Sequence, residues 1–455
     1  MEPPLTPAER RVVAAIAERE RDLVALLIAL IGFDTRAPDP DFAPRDDAAL
    51  QLHLARRLRT AGFDVRLWEP DADALPDHRY VRPPGHHFGG RPQLLARAPG
   101  RSGGRSLLFN GHIDVVRADP VELWTSDPFT GVVRDRRVYG RGACDMKGGV
   151  AAMVVAAETL RALEVPLDGD LLVNTVTDEE STGLGSLASA LDGAHADAGI
   201  IPEPTRLTGW LGTRGSLMPE ITVDGRAGHA GYPHDFDRAD APVNAIEKMQ
   251  VVLAALRDLG AEWQRRPEIQ HPHLHTGTIV PTSIEAGQWM VSYPARCTLR
   301  CHVQYLPEQA DADGWGTLIE REIEARVAAA AAADPWLAEH PPRFAWPGDV
   351  PPGFHGPDEP ISATTLGAMA ALGLAPEIAS RTTFFDGPTF SRAGTPSIAF
   401  GPGDIAVAHA VDEHVPIDDL VRAAQVLAVA AMRFCGIAEP VAETVQSSQT
   451  GGETP

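Results

Sequence analysis

Seven acidic and imidazole side chains stand at strand ends or in turns, and their types suit metal binding. They are His112, Asp114, Asp145, Glu179, Glu180, Glu203 and His409. Two imidazoles with several carboxylates form a nitrogen and oxygen ligand set that suits zinc, and also cobalt or manganese. Each residue has an ordinary alternative, such as a hydrogen-bonded histidine, a solvated acidic turn or a cap. Together they favour a metal site, because adjacent like charges at a strand end are costly unless a positive group compensates them.

A glycine-rich turn and a His-Ile-Asp triplet strengthen this interpretation. Asp145 lies in the stretch 140–149, where glycines allow a sharp turn and close approach of the backbone to a ligand. A carboxylate held there could bridge two cations, although the same turn could simply connect a strand to a helix. His112 and Asp114 share one face of a strand. We therefore expect the Asp114 carboxylate to reach the second ring nitrogen of His112, as carboxylates beside metal-bound histidines usually do.

The elements that carry these residues predict an α/β fold. An alternating segment that fits a strand lies at 63–68, and further strand-like runs lie at 106–116, 170–177, 198–201 and 397–400. Helical spacing occurs at 12–31, 48–61, 150–163, 361–372 and 417–434. Their alternation predicts a mostly parallel, doubly wound sheet covered by helices on both faces. Because ligands bind beyond the carboxyl ends of strands in such sheets, we expect the acidic and imidazole residues to meet there.

A different pattern begins at about residue 216. Strand-like segments lie at 217–223, 275–284 and 290–305, and helical segments at 241–259 and 314–332. This β-α-β-β-α-β order predicts an inserted ferredoxin-like (α+β) domain, although the pattern does not locate its last strand. The proline-rich stretch 341–357 is interpreted as the linker back to the first domain. The predicted division is a first domain at 1–215 and 349–436, an inserted domain at 216–348 and a disordered tail at 437–455.

Charge and composition disfavour several classes of partner. The 455 residues include 40 Lys and Arg against 62 Asp and Glu, which gives a net charge of −22. This charge argues against nucleic acid as a partner, because phosphate binding needs a basic face. The apolar run 23–31 is too short to span a membrane, which takes about 20 residues. The N-terminus lacks the basic segment of a signal peptide, and we expect a cytoplasmic protein.

Two further motifs have a structural alternative that we favour. The four cysteines do not make a disulfide framework. Cys297 and Cys301 could share a strand face, and a reduced pair is expected there rather than a bridge. His86 and His87 could bind a metal, but adjacent side chains in a loop rich in glycine and proline rarely converge on one ion. We interpret that histidine pair as part of a loop.

Several motifs occur together in an order that identifies a family. They are Gly-His-Ile-Asp-Val-Val at 111–116, the stretch 140–149, Asp-Glu-Glu at 178–180, Pro-Glu-Pro-Thr at 202–205, Gly-His-Ala-Gly at 228–231, Phe-Gly-Pro-Gly-Asp at 400–404, Ala-His at 408–409 and Asp-Glu at 412–413. In these motifs the chain resembles the co-catalytic metallopeptidase and deacylase family. Its members include acetylornithine deacetylase, succinyl-diaminopimelate desuccinylase, aminoacylase-1 and carboxypeptidase G. The resemblance covers roughly residues 20–435.

The resemblance implies a site with two divalent metal ions, zinc before cobalt or manganese. Asp145 would bridge the metals, His112 and Glu203 would complete one site, and Glu180 and His409 the other. Glu179 would be the general base that activates the water between the metals, and Asp114 would orient His112. The first domain would be catalytic. The inserted domain would be a lid that forms a homodimer, with His229 reaching the active site of the partner subunit to stabilise the oxyanion. His229 could instead be a structural residue at a strand end.

The substrate is less well defined than the metal site. Residues 291–294, Val-Ser-Tyr-Pro, stand where many relatives carry a segment with a substrate-binding Asn. Arg214, Arg296 and Arg300 are candidates to bind a substrate carboxylate, because the guanidinium fork matches one, or they could form salt bridges. Gly401 and Gly403 could offer backbone N–H groups to the same carboxylate, or could simply form a turn.

The resemblance is strongest to the acetylornithine deacetylase and desuccinylase branch. We therefore predict metal-dependent hydrolysis of the amide bond of a small N-acyl amino acid. A dipeptidase or carboxypeptidase with the same metal core is the first alternative, since it differs only in which side of the amide it recognises. An inactive metal-binding dimerisation module is the second alternative. The presence of all seven residues disfavours it, because inactive relatives are expected to lose the base or a ligand.

Overall fold

The computed structural model describes residues 4–37, 43–76, 85–101, 103–379 and 382–438. Most of the predicted tail, from residue 439 onward, lies outside the described residues, and its disorder stays a prediction. Ile437, just before that segment, forms a β-bridge with Leu167. No helix in these described ranges is both long enough and apolar enough to cross a membrane.

The described residues form eleven α-helices. In chain order they are α1 (Pro7–Glu18), α2 (Glu20–Ile31), α3 (Asp47–Thr60), α4 (Lys147–Ala162), α5 (Leu184–Leu191), α6 (Ala245–Trp263), α7 (Thr317–Ala331), α8 (Pro335–Glu339), α9 (Pro360–Ala371), α10 (Gly387–Arg392) and α11 (Ile417–Cys435). Local sequence explains several of their ends. α1 begins with a capping box between Thr6 and Glu9. Gly62, with a φ of 84°, follows the end of α3, where a left-handed residue commonly stops a helix.

Seventeen strands form the sheets of the described residues. They are β1 (Asp64–Trp68), β2 (Gln93–Ala98), β3 (Leu107–His112), β4 (Val132–Arg134), β5 (Arg137–Tyr139), β6 (Leu171–Val176), β7 (Ala198–Ile201), β8 (Gly212–Thr213), β9 (Gly215–Leu217), β10 (Glu220–Asp224), β11 (Thr278–Ala286), β12 (Arg296–Tyr305), β13 (Arg343–Ala345), β14 (Asp349–Val350), β15 (Gly353–Phe354), β16 (Ser397–Ala399) and β17 (His414–Pro416).

Six strands form the central sheet, in the order β1-β2-β6-β3-β7-β16. The pairs β6–β3, β3–β7 and β7–β16 are parallel, and β1 and β2 add an antiparallel edge. Every residue of β3, β6 and β7 is buried, as expected of parallel strands that helices cover on both faces. One hydrophobic cluster joins this sheet to helices from both ends of the chain. The predicted α/β fold with a largely parallel sheet is confirmed.

A second sheet is built from the middle of the chain. β10, α6, β11, β12, α7 and β13 follow one another in the predicted β-α-β-β-α-β order, and their strands pair antiparallel in the order β13-β10-β12-β11. This is the ferredoxin-like arrangement, so the predicted inserted domain is confirmed as a fold. The buried residues of its hydrophobic cluster all lie between 217 and 337. The boundaries at 216 and 348 stay predictions, and pairing of β14 with β9 continues to Val350.

The proline-rich stretch 341–357 differs from the prediction of a linker. It contains β13, β14 and β15, and β13 is the last strand that the sequence pattern did not locate. In the described residues β13 pairs only with β10. Because proline cannot donate to a sheet ladder, it is tolerated beside edge strands of this kind. The prolines around β13 therefore hid a strand that lies at the edge of the sheet.

Several other helices differ from the sequence pattern. The single helix expected at 12–31 is divided at Arg19 into α1 and α2. No glycine or proline marks this position, but the Arg19 guanidinium donates to Glu158 of α4, a contact that the local sequence cannot reveal. The short helices α5 and α10 were not predicted, because eight residues or fewer carry little periodicity. All four cysteines are unbridged and buried, in agreement with the favoured reduced pair.

Candidate metal centre

The predicted residues converge because three parallel strands end at one edge of the central sheet. β3 lies between β6 and β7, and its last residue is His112. The turn after β6 carries Glu179 and Glu180, and the turn after β7 carries Glu203. Parallel strands present their carboxyl ends at the same edge, where ligands bind in sheets of this type. The alternation of strands and helices therefore fixes where these side chains meet.

Asp145 reaches the same edge from the turn before α4. Glu413 holds this turn, because its Oε1 accepts hydrogen bonds from the backbone N–H groups of Cys144 at 2.9 Å and Asp145 at 3.1 Å. The other oxygen of Glu413 accepts from the buried Arg141. α4 then packs directly on the segment of Glu203, since a Cβ at Gly149 would lie 1.9 Å from the Pro202 carbonyl oxygen. The glycine at 149 is required by this close approach.

Two groups of three side chains have the geometry of metal sites. One is His112, Asp145 and Glu203, and the other is Asp145, Glu180 and His409. Within each group the possible ligand atoms lie within 4.8 Å of one another. Asp145 belongs to both groups. Its Oδ1 lies 3.2 Å from Nε2 of His112 and its Oδ2 lies 3.4 Å from Nε2 of His409, which is the arrangement a bridging carboxylate needs.

The donor set fits two divalent cations. Glu203 is buried, and its Oε1 has no hydrogen-bond partner among the described residues. A buried carboxylate oxygen without a partner is costly, and a metal ion would satisfy it. In the second group, Oε1 of Glu180 lies 3.1 Å from Nε2 of His409. Nitrogen and oxygen donors of this kind suit zinc, cobalt or manganese.

The pKa values of the cluster show how strongly it favours positive charge. Burial raises the pKa of Glu179 and of Glu203 well above the usual range, and negative neighbours raise both further. Burial opposes protonation of His112, but the charge of Glu179, the hydrogen bond with Asp145 and the charge of Glu203 outweigh it and raise the pKa of the ring well above its usual value. Hydrogen bonds with Asp145 and Glu180 raise the pKa of His409 to about 10. Without a cation, protons compensate these carboxylates.

The orientation of His112 differs in one detail from the prediction. Its Nδ1 lies 2.9 Å from the backbone carbonyl oxygen of Asp114, whereas the Asp114 carboxylate is 3.7 Å away. A backbone carbonyl fixes a ring as well as a carboxylate does, and it leaves Nε2 facing Asp145. The Asp114 carboxylate instead accepts hydrogen bonds from the backbone N–H groups of Glu179 at 3.2 Å and Glu180 at 3.0 Å. It therefore anchors the acidic turn.

Glu179 lies beside the first group of ligands without being one of its three members. Its Oε2 is 4.0 Å from Nε2 of His112. Glu179 also lines a cavity of about 200 Å³ together with Ser216, Met218, His302 and Phe384. This position, at the boundary of the ligand cluster and an open cavity, suits a group that moves protons rather than one that binds metal.

The three candidate arginines have different surroundings. Arg296 pairs with Asp224 at 3.1 Å. Arg300 pairs with Glu220 at 3.0 Å and with Glu285 at 2.6 Å. For these two residues the structure supports the alternative of salt bridges on the inserted sheet. Arg214 is half-buried and, in the described ranges, forms no ion pair with a carboxylate.

The two glycines of the C-terminal motif use their N–H groups within the protein. Gly401 donates to Oγ1 of Thr205 at 3.0 Å, and Gly403 donates to the Asp419 carboxylate. The turn alternative is therefore favoured for both. His229 is exposed and lies in a loop, where its Nδ1 accepts from the N–H of Gly231 at 3.1 Å. Its role towards a partner subunit stays a proposal.

The sequence interpretation missed residues that support the cluster from behind. Arg141 and Glu413 form the buried pair under the Asp145 turn, and both lie in motifs that could have drawn attention to them. Asp386 is buried, and burial raises its pKa to about 6. It accepts from Asn110 of β3 at 3.3 Å. His86 does not join either ligand group and instead lies 2.8 Å from Asp178.

Comparison with known proteins finds relatives along most of the chain. The family model described as Peptidase family M20/M25/M40 matches residues 108–433. The chain is 28% identical over 446 residues to N-formyl-4-amino-5-aminomethyl-2-methylpyrimidine deformylase of Halalkalibacterium halodurans, covering 93% of this chain and 97% of that protein. It is 31% identical over 396 residues to succinyl-diaminopimelate desuccinylase of Leptothrix cholodnii, covering 83% and 93%. The crystal structure of human carnosine dipeptidase 1 has the same fold, with a TM-score of 0.69 at 16% identity over 95% of this chain and 100% of that one.

Proposed function

The chain belongs to peptidase family M20/M25/M40, and we propose that within this family it removes the acyl group from a small N-acyl amino acid. Membership makes it a metal-dependent hydrolase of amide C–N bonds, as the names of its deformylase and desuccinylase relatives indicate. The observation that carries the finer proposal is the position of Glu179. It lies beside two ligand groups that share Asp145 and faces a cavity.

Five side chains would hold the metal ions. His112 and Glu203 would hold one, Glu180 and His409 the other, and Asp145 would bridge them. A bound pair of divalent ions polarises an amide carbonyl and lowers the pKa of a water molecule. We propose zinc as the native metal, with cobalt or manganese as metals that the same donors accept.

Glu179 would act as the general base and then as the general acid. Burial raises the pKa of this carboxyl well above its usual range, and nearby cations lower it again. A pKa between these limits suits proton transfer near neutral pH. The carboxylate would take a proton from the attacking water and donate it to the leaving nitrogen. The Asp114 carboxylate supports this role, because it holds the N–H of Glu179.

The lining of the cavity beside Glu179 favours a substrate with an uncharged acyl group. It is lined by Ser216, Met218, His302 and Phe384, with no lysine or arginine among its described lining residues. Burial lowers the pKa of His302, and the charge of Arg214 lowers it further, so this imidazole is neutral at physiological pH. A volume of about 200 Å³ accepts a formyl, an acetyl or a somewhat larger apolar group. None of its described lining residues would offer a cation to a succinyl carboxylate.

Arg214 is the candidate for the substrate carboxylate. Its Nη1 donates weakly to the carbonyl oxygen of Thr276 at 3.4 Å, and burial lowers its pKa. Because this half-buried positive charge has, in the described part of the chain, only a weak hydrogen bond to a carbonyl oxygen, the site favours binding of an anion. Arg214 lines a second cavity, of about 530 Å³, with His275, Thr382 and Thr383. A dipeptide carries the same amide and carboxylate, so a dipeptidase or carboxypeptidase is the alternative.

The inserted domain would form a homodimer. β11 pairs only with β12 in the described residues, and seven of its nine residues are exposed, including Val280 and Ile284. Trp289 and Met290 are 69% and 93% exposed, which is unusual for large apolar side chains. Covering them in a dimer would bring the loop of His229 to another subunit, where it could stabilise an oxyanion. A cytoplasmic location is also proposed, and the four unbridged cysteines support it.

A substrate panel tests the proposed function. Purified protein would be assayed for amine release from the N-formyl, N-acetyl and N-succinyl forms of one amino acid and from a dipeptide, with and without added zinc, cobalt or manganese. We expect metal-dependent release, faster for the formyl and acetyl forms than for the succinyl form. Release from the dipeptide alone would support the peptidase alternative. Preference for the succinyl form would contradict the uncharged acyl group.

A further inference from the structure

The acidic turn that carries Glu179 begins at a residue in an uncommon conformation. Asp178 has a φ of 68°, in the left-handed region that only a few per cent of residues other than glycine adopt, although Asn and Asp do so more often than most. Its side chain is 1% exposed. Such a conformation persists only where the surroundings determine it. The contacts of Asp178 therefore decide how the next residue, Glu179, leaves the end of β6.

Two side chains from the loop before β2 hold the Asp178 carboxylate. Nε2 of His86 lies 2.8 Å from Oδ2, and the Arg91 guanidinium donates to Oδ1 and also to the backbone carbonyl of His87. Both side chains are buried. These bonds link the turn to a segment about ninety residues earlier in the chain. The adjacent His87 is exposed, and its Nδ1 accepts from the N–H of Gly89 at 3.1 Å.

The opposite side of the same turn is held by Asp114. Its two carboxylate oxygens accept from the N–H groups of Glu179 and Glu180. The held side chain of Asp178 therefore fixes the backbone of residues 178–180 on one side. The N–H groups of Glu179 and Glu180, which donate to Asp114, fix it on the other. Little freedom is left for the Cα of Glu179, and the direction of its side chain follows from this backbone.

We propose that His86 is a positioning residue for Glu179, acting through its Nε2 contact with Asp178. This inference depends on the proposed role of Glu179 as general base. The contact is made by Nε2 of the ring, so two amide substitutions of different length can test it. A glutamine at 86 can place its Nε2 where the histidine has Nε2, whereas an asparagine is too short and corresponds only to Nδ1. If His86 served only in packing, the variants His86→Gln and His86→Asn would not differ in this way.

The test compares three variants in the metal-loaded enzyme. His86→Asn is expected to lower kcat by about 10- to 100-fold, because a shift of about 1 Å in a catalytic group has effects of this size. KM and the number of bound metal ions should stay close to those of the wild type, since neither ligands nor substrate contacts change. His86→Gln should restore kcat to within about threefold of the wild type. His87→Asn is the matched control and should behave as the wild type.

Several results would overturn the inference. Wild-type kcat in His86→Asn would do so, as would an equal loss in His86→Gln and His86→Asn, or a loss explained by missing metal. If His86→Asn does not fold, His86→Ala replaces it, because alanine also removes the Nε2 contact with Asp178. Unchanged kcat in that variant would also overturn the inference. Failure of the proposed function itself would differ, since Glu179→Gln would then retain activity.

Discussion

The side chain of Glu180 meets that of His409 across 229 residues of sequence, with Oε1 3.1 Å from Nε2. Glu180 precedes the inserted domain and His409 follows it. One proposed metal site therefore needs both parts of the divided domain. The other site, which contains His112 and Glu203, is completed before the insertion begins. This asymmetry leads to a prediction about how the two metal ions are lost.

We expect His409→Ala to bind one metal ion and Asp145→Asn to bind neither tightly. The first variant removes one ligand of the second group, whereas Asp145 belongs to both groups. Metal content after dialysis, measured by mass spectrometry, checks both results. His414→Ala is the control, because His414 hydrogen-bonds to the Asp412 carbonyl and belongs to neither group. Loss of both ions in His409→Ala alone would contradict two separable sites.

Metal binding should release protons between pH 7 and 9. Hydrogen bonds with Asp145 and Glu180 raise the pKa of His409 to about 10 in the metal-free protein, so the ring is protonated below that pH. A metal ion needs the neutral ring. Affinity should therefore rise with pH, by about tenfold per unit for each proton released, and level off above the pKa. Titration calorimetry in buffers of different ionisation enthalpy measures the release. An affinity independent of pH in this range would contradict the prediction.

Arg214→Ala should raise KM for substrates that carry a carboxylate. Loss of a hydrogen-bonded charge pair corresponds to about 10- to 100-fold in affinity, and kcat should change less. Arg296→Ala and Arg300→Ala are matched controls, because both arginines pair with acids of the inserted sheet. A substrate with a carboxamide in place of the carboxylate should be insensitive to Arg214→Ala. A larger increase in KM from Arg300→Ala would show that Arg300, not Arg214, binds the substrate carboxylate.

The position of the candidate metal ligands could be predicted because the ends of the strands can be recognised in the sequence. Runs such as 170–177 and 198–201 are mostly apolar and are closely followed by acidic residues, so their burial and direction follow from the residue pattern. The inserted domain was equally visible from its change of pattern. Its last strand, β13, was not, since prolines beside a three-residue edge strand look like a linker.

Contacts between distant segments could not be predicted in the same way. The pairing of Arg300 with Glu220 and Glu285 depends on the register of β10, β11 and β12. The His86 contact depends on a loop meeting a turn about ninety residues later. Local patterns of residue type carry no information on either. The same limitation explains why the Asp114 carboxylate was expected at His112, although it holds the backbone of the acidic turn.

The most direct test of the account is Glu179→Gln, assayed for amine release and metal content in one preparation. The amide keeps the size of the side chain but cannot accept a proton from water, so we expect turnover to fall by about two to four orders of magnitude. Both metal ions should stay bound, because Glu179 is not among the five proposed ligands. Loss of a metal ion together with activity would make Glu179 a ligand. Turnover near that of the wild type would contradict its role as general base.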